Sequence, residues 1–191
     1  MASDSAVATL TFQQPGLHLL AFQSNNSSIA LEADKFNAYL TEDGIENILA
    51  LRKQRGELGK PARELYQRCA KTMLQVSGVA QTGLIRFGTN TGMPLEIIPQ
   101  QNPYALKAGD ELAVEILFEG KPLPNAVVRT WQRAGQSAMA QARYRTDARG
   151  QVRVKITAAG QWMISLVRMV PLTTPTADYQ SYWASYTFGL M

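Results

Sequence analysis

The amino-acid sequence predicts a mainly β chain with a helical insertion, closed by a C-terminal antiparallel β-sandwich. Residues 94–191 break into short runs of alternating apolar and polar residues, separated by turn residues such as Lys107-Ala108-Gly109-Asp110 and Asp147-Ala148-Arg149-Gly150. Residues 33–66 instead space their apolar side chains at helical intervals. Between them, Gly78–Gly92 is rich in Gly, Thr and Asn and follows neither period, which reads as a linker. The expected organisation is a partial β-domain over 1–78 carrying two or three short helices (about 33–66), a linker over 79–92 and a sandwich over 93–191.

In chain order, residues 6–13 and 17–24 flank Gln14-Pro15-Gly16, and Pro-Gly between two β-rich runs predicts a hairpin. Ser28–Leu31 fits a further short strand. Phe36, Tyr39 and Leu40 then share one helical face. A second helix is marked by Thr41 as cap, Glu42 and Asp43 in its first turn, Ile45, Ile48 and Leu49 as its apolar stripe, and Gly56 beyond its end. Arg52, Lys53 and Arg55 complement its C-terminal dipole, so a solvated helix end accounts for that basic cluster. Pro61 suits the first turn of a third short helix reaching Tyr66. Cys69–Val76 reads as a strand returning to the sheet of the first hairpin.

The sandwich is clearest in Glu111–Phe118, where Leu112, Val114, Ile116 and Phe118 alternate against Ala113, Glu115 and Leu117. Gln151–Ile156 alternates Val152, Val154 and Ile156 with Arg153 and Lys155. The closing strand Ser181–Leu190 puts Tyr182, Tyr186 and Phe188 on one face and Trp183 on the other. Core packing is the expected role of these aromatics and of Trp162, with a binding platform as the alternative.

Composition narrows the function classes. Nineteen Lys and Arg against 15 Asp and Glu give a net charge of +4, spread along the chain rather than gathered in the basic stripe of a nucleic-acid binder, so no nucleic-acid partner is expected. No apolar run approaches the roughly 20 residues of a membrane helix. The first residues carry neither a basic segment nor an apolar one in signal-peptide order, which fits a cytoplasmic protein or an exported one written without its leader. A single Cys leaves the redox compartment open.

Candidate chemistry is sparse. His18 is the one histidine and Cys69 the one cysteine. If their strands pair they could be neighbours, which makes them the metal-ligand candidates, although two ligands without an acid make a poor site. With a lone His, no nucleophile elbow and no phosphate loop, nothing supports nucleophilic or phosphoryl-transfer catalysis, and no catalytic residue is assigned. Pairing of Ala142–Arg145 with Gln151–Ile156 across the Asp147–Gly150 turn would gather Arg143, Arg145, Arg153 and Lys155 on one basic face, a candidate surface for an acidic partner.

Two resemblances follow from these motifs. Gly120-Lys121-Pro122-Leu123-Pro124-Asn125-Ala126-Val127-Val128, with Thr146–Val152 and Gly160–Leu166, resembles the transthyretin-like sandwich of carboxypeptidase regulatory domains, an immunoglobulin-like architecture. Pro15–Phe22, Lys35–Leu40 with Glu42-Asp43-Gly44, Tyr66–Lys71, Pro94–Pro99, Asn102–Leu106 and Tyr182–Ser185 look like successive landmarks of a bacterial exported family of unknown function. Some of its members carry the name of nickel-uptake substrate-specific components (NikM-like). The likeness implies a periplasmic location and a chain starting inside the first β-domain of such a protein. It also implies an envelope transporter or receptor component as partner, and nickel or cobalt as the metal if one is bound. The expected function is a non-enzymatic periplasmic binding or accessory module linked to uptake of nickel, cobalt or another small solute. The alternative is a structural interaction module of a cell-envelope assembly with no ligand of its own.

Overall fold

The computed structural model describes residues 9–76 and 87–191. Its elements run β1 (Gly16–Gln23), β2 (Ser27–Leu31), α1 (Ala33–Glu42), α2 (Glu46–Gln54), β3 (Ala62–Val76) and β4 (Leu95–Pro99). A short 3₁₀ turn at Pro103–Ala105 precedes β5 (Glu111–Phe118), β6 (Lys121–Pro122), β7 (Val127–Arg133) and β8 (Ala140–Arg145). The chain ends with β9 (Gln151–Lys155), β10 (Gly160–Pro171) and β11 (Tyr179–Leu190). The mainly β character, the helical insertion and the sandwich all match the sequence reading.

Two sheets form the sandwich. In the larger, the strand order is β1-β3-β11-β10-β7-β8, with β2 also on β3. In the smaller, β5 is central, flanked by β4 on one edge and by β6 and β9 on the other. The alternation read in β5 is real: Leu112, Val114 and Ile116 are fully buried and meet Val154, Val152 and Ile97 across the strands. They pack against Ile164, Leu166, Ala184, Tyr186 and Phe188 from the inner face of the large sheet. Burial of each larger aliphatic side chain contributes about 1.5–3 kcal/mol, so this layer is the main source of stability. Trp162 joins it and donates from Nε1 to the Ala158 carbonyl at 3.0 Å.

The helices cover one end of the outer face of the large sheet. Phe36, Leu40, Ile45 and Ile48 form a second cluster with Met169 and Tyr179 of β10 and β11. The boundary between them differs from the reading, because Thr41 and Glu42 close α1 rather than open α2. Gly44 makes the turn at φ +71°, and a Cβ there would meet Val127 at 2.8 Å. Only glycine fits that corner. Arg52 is not at a solvated end either: it is 2% exposed, with Nε donating to Asn37 and Nη2 to the Glu57 and Lys60 carbonyls.

Three other expectations are corrected. Residues 61–66 are not helical; all but Pro61 belong to the 15-residue β3, whose two edges are taken by β1 and β2 on one side and β11 on the other. Pairing along its whole length outweighs a weak local helical spacing. The N-terminal hairpin is not formed: residues 9–15 are not a strand, residues 6–8 lie outside the described residues, and β1 pairs with β3. Cys69–Val76 does return to the sheet of β1, as expected. Most of the predicted linker, 79–86, lies outside the described residues; β3 before it lies in the large sheet and β4 after it in the small one, and β3 also pairs in parallel with the distant β11.

The Asp147–Gly150 turn is an arch rather than a hairpin. Asp147 Oδ1 accepts from the backbone of Arg149 and Gln151, and Gly150, at φ +72°, takes the Ile116 N–H on its carbonyl. The chain thereby leaves the large sheet after β8 and enters the small one as β9.

Candidate functional site

Strand parity decides what faces the open part of the large sheet. On the outer face, Phe22, Ala70, Ser185, Ser165, Arg129 and Arg143 form one cross-strand row, and Leu20, Thr72, Thr187, Met163, Trp131 and Gln141 the next. Arg68 and Trp183 are paired one row nearer the helices. Where the helices stop, these rows floor a cleft of about 420 Å³ walled by Trp131, Trp183, Arg68, Arg129 and Phe22, with Asp43 at its helical rim. A cleft of this volume suits a small organic ligand.

Its walls are held from behind. Trp183 lies parallel to Tyr39 (centroids 5.7 Å apart, planes at 4°) and donates from Nε1 to Ser181 Oγ at 3.0 Å. Ser181 in turn donates to the buried Glu64 carboxylate, which also accepts from the Tyr39 hydroxyl at 3.2 Å. Burial pushes Glu64 up from the ordinary carboxylate range against the pull of these hydrogen bonds, and burial with the Glu64 charge drives Tyr39 well above a normal phenol. On the opposite wall, Trp131 donates to Ser165 Oγ at 3.0 Å, leaving the Ser165 hydroxyl proton free to be donated into the cleft.

The two arginines differ. Each stacks on an indole, Arg68 at 4.4 Å from the Trp183 ring centre and Arg129 at 4.6 Å from that of Trp131. Arg129 is neutralised by an ion pair with Asp43, whose carboxyl burial pushes up and Arg129 draws back down. Arg68 is exposed, and among the described residues no carboxylate lies within ion-pair distance of it and its guanidinium makes no hydrogen bond. Stacking fixes the plane of that guanidinium while its N–H edges stay available, a geometry suited to a carboxylate or another oxyanion.

The sequence-derived candidates are dispersed. His18 is aligned with Leu74 and Cys69 with Gln23, so they sit five positions apart on adjacent strands, roughly 17 Å along the sheet. An odd separation also puts them on opposite faces. Cys69 points into the core, whereas His18 packs on Phe12 and donates to the Gln14 carbonyl at 2.9 Å. Among the described residues no three His, Cys, Asp or Glu side chains converge on a metal-sized site. Burial raises the Cys69 thiol, so it should resist a disulfide reagent such as DTNB in the native protein and react at once in urea; fast native labelling would contradict its placement.

The basic face is not formed, because β8 and β9 belong to different sheets. Arg145 is forked onto Glu46 at 2.8 and 3.0 Å, and Arg143 donates to the Glu42 carbonyl, so both tie the sandwich to the helices. Arg153 lies 3.7 Å from Glu111, and Lys155 faces that same residue across β5. No helix among the described residues is long and apolar enough to cross a membrane.

The model of one protein family, described as a domain of unknown function (DUF4198), matches residues 2–175. The chain belongs to the DUF4198 family. No curated protein and no solved structure matches it. The DUF4198 match includes Arg68, Arg129, Trp131 and Ser165, while Trp183 and Ser185, which complete the cleft, come from β11 beyond it. Sequence reasoning had Trp183 on the face opposite Tyr186 and Phe188, the one signal for this wall. The arginines gave no signal, since their meeting depends on the β3-β11-β10-β7 order.

Proposed function

We propose that this chain is a non-enzymatic binding module of the bacterial cell envelope, working in the periplasm beside an uptake component, and that the outer-face cleft holds its small-solute ligand. The observation that carries the reading is the pair of clamped indoles beside an arginine whose guanidinium makes no ion pair or hydrogen bond among the described residues and feels only the more distant, buried Glu64 charge. A purely structural module has no need to hold such a cation on a rigid aromatic wall at the mouth of a concave surface. A solute, rather than a bare nickel or cobalt ion, suits this donor set, because the cleft offers guanidinium and hydroxyl donors and few of the thiolate, imidazole or carboxylate ligands such ions take.

Amide chemical-shift mapping tests this. A panel of neutral and anionic small organic solutes, together with Ni²⁺ and Co²⁺ salts, is titrated into labelled protein. The expected result is saturable shifts from one or more organic solutes centred on residues 68, 129, 131, 165 and 183. Shifts from the metals alone, or scattered shifts that never saturate, would refute the reading.

A further inference from the structure

The cleft does not end at Trp131. Trp131 and Met163 also line a second recess of about 550 Å³, which continues along the same sheet face away from the helices. On this face its lining is largely apolar: Leu74 and Met139 join Trp131 and Met163, while Met73, Trp162 and Phe188 belong to the core on the other side of the sheet and border the recess only from behind. Three of the polar side chains that line it are already paired. Thr72 and Thr187 hydrogen-bond to each other at 2.7 Å, and Gln132 donates to the Ala159 carbonyl at 3.0 Å. Arg133 is exposed and is the one cation in its lining, at the end away from Arg68.

One sheet face therefore carries two chemistries in line. At the helical end lie Arg68, whose guanidinium makes no ion pair or hydrogen bond among the described residues, and the hydroxyls of Ser165 and Ser185, the latter without a side-chain hydrogen bond among the described residues. From the Arg68–Trp183 pair to the Met163–Thr187 pair is four residues along β11, about 13 Å. Resting on the reading of the cleft as a solute site, we propose that its ligand is an anionic amphiphile, a carboxylate or similar oxyanion on a medium-length apolar chain. The head group lies on Arg68, and the chain runs over Met163 and Trp131 into the second recess. Charge complementarity selects the head, since Trp183 already stacks with Tyr39 and with Arg68, and it is the N–H edge of Arg68 that is left to meet a ligand.

Isothermal titration of the intact chain with butyrate, decanoate and decanol separates the parts. Decanoate is expected to bind at least tenfold more tightly than either of the others. Arg68→Gln should remove the preference for decanoate over decanol while leaving decanol unchanged. Met163→Gln should weaken decanoate and leave butyrate unaffected, and circular dichroism of both variants confirms that they fold. Equal affinity for butyrate and decanoate, decanoate binding unaltered in Arg68→Gln, or no binding of any of the three would each overturn the proposal. The solute-site reading itself then stands or falls separately, on the chemical-shift panel.

Discussion

Replacing Lys71 by methionine is expected to cost about 3–5 kcal/mol, the usual penalty for leaving one member of a buried ion pair without its partner. Lys71 and Glu96 bridge the two sheets with side chains only 3% and 2% exposed. Glu96 also accepts from the Thr91 backbone and hydroxyl and from the Gly92 N–H, and Lys71 donates to the Thr89 carbonyl. Burial alone would push the Glu96 carboxyl up, yet the bonds from Lys71 and Thr91 more than offset it and leave it below its ordinary 4.5. The pair's contribution is therefore fully present above that ordinary value and is lost as pH falls through the depressed one. In Lys71→Met the balance reverses, burial dominates, and the deficit should shrink on acidification as Glu96 takes up a proton. Urea unfolding at pH 7 and pH 4 measures both effects, and a deficit below about 1 kcal/mol at pH 7 would mean that the pair is hydrated.

The second large effect belongs to Gly150→Ala. The left-handed backbone costs an L-residue about 1–2 kcal/mol. The added Cβ would also meet the Ile116 carbonyl oxygen and the Leu123 nitrogen at 2.8 Å each. Both are backbone atoms of the small sheet and its flank, so relief requires moving strands, and overpacking of this kind adds about 1–3 kcal/mol. A total near 3 kcal/mol by thermal unfolding is the expected result; a cost under about 1 kcal/mol would show that the arch has room to give.

Local alternation was legible wherever a strand has one wet face and one dry. Leu112-Val114-Ile116, Val152-Val154 and the Tyr182-Tyr186-Phe188 face were read correctly because a period of two depends only on neighbours in sequence. Pairing was not legible. Arg143 and Arg153 looked like cross-strand neighbours because a four-residue turn between two alternating runs fits a hairpin, and nothing local distinguishes that from an arch whose Gly150 is lodged against another strand. The 61–66 segment failed for the opposite reason: Pro61 followed by Leu65 and Tyr66 imitates a helix start, and only the presence of strands on both edges settles its conformation. The cleft combines the two cases. Its tryptophan could be placed on a face, while its arginines become meaningful only through strands far apart in sequence.

The parallel alignment of β3 with β11 has a kinetic consequence. One long edge of β3 is satisfied only by residues 179–187, more than a hundred positions later. A chain made from its N-terminus would hold that edge open until β11 emerged. Closing so large a loop is slow, and an unpaired edge invites mispairing with other chains meanwhile. Folding of this sandwich should wait for β11, and removal of β11 should leave the earlier strands without a native state to reach.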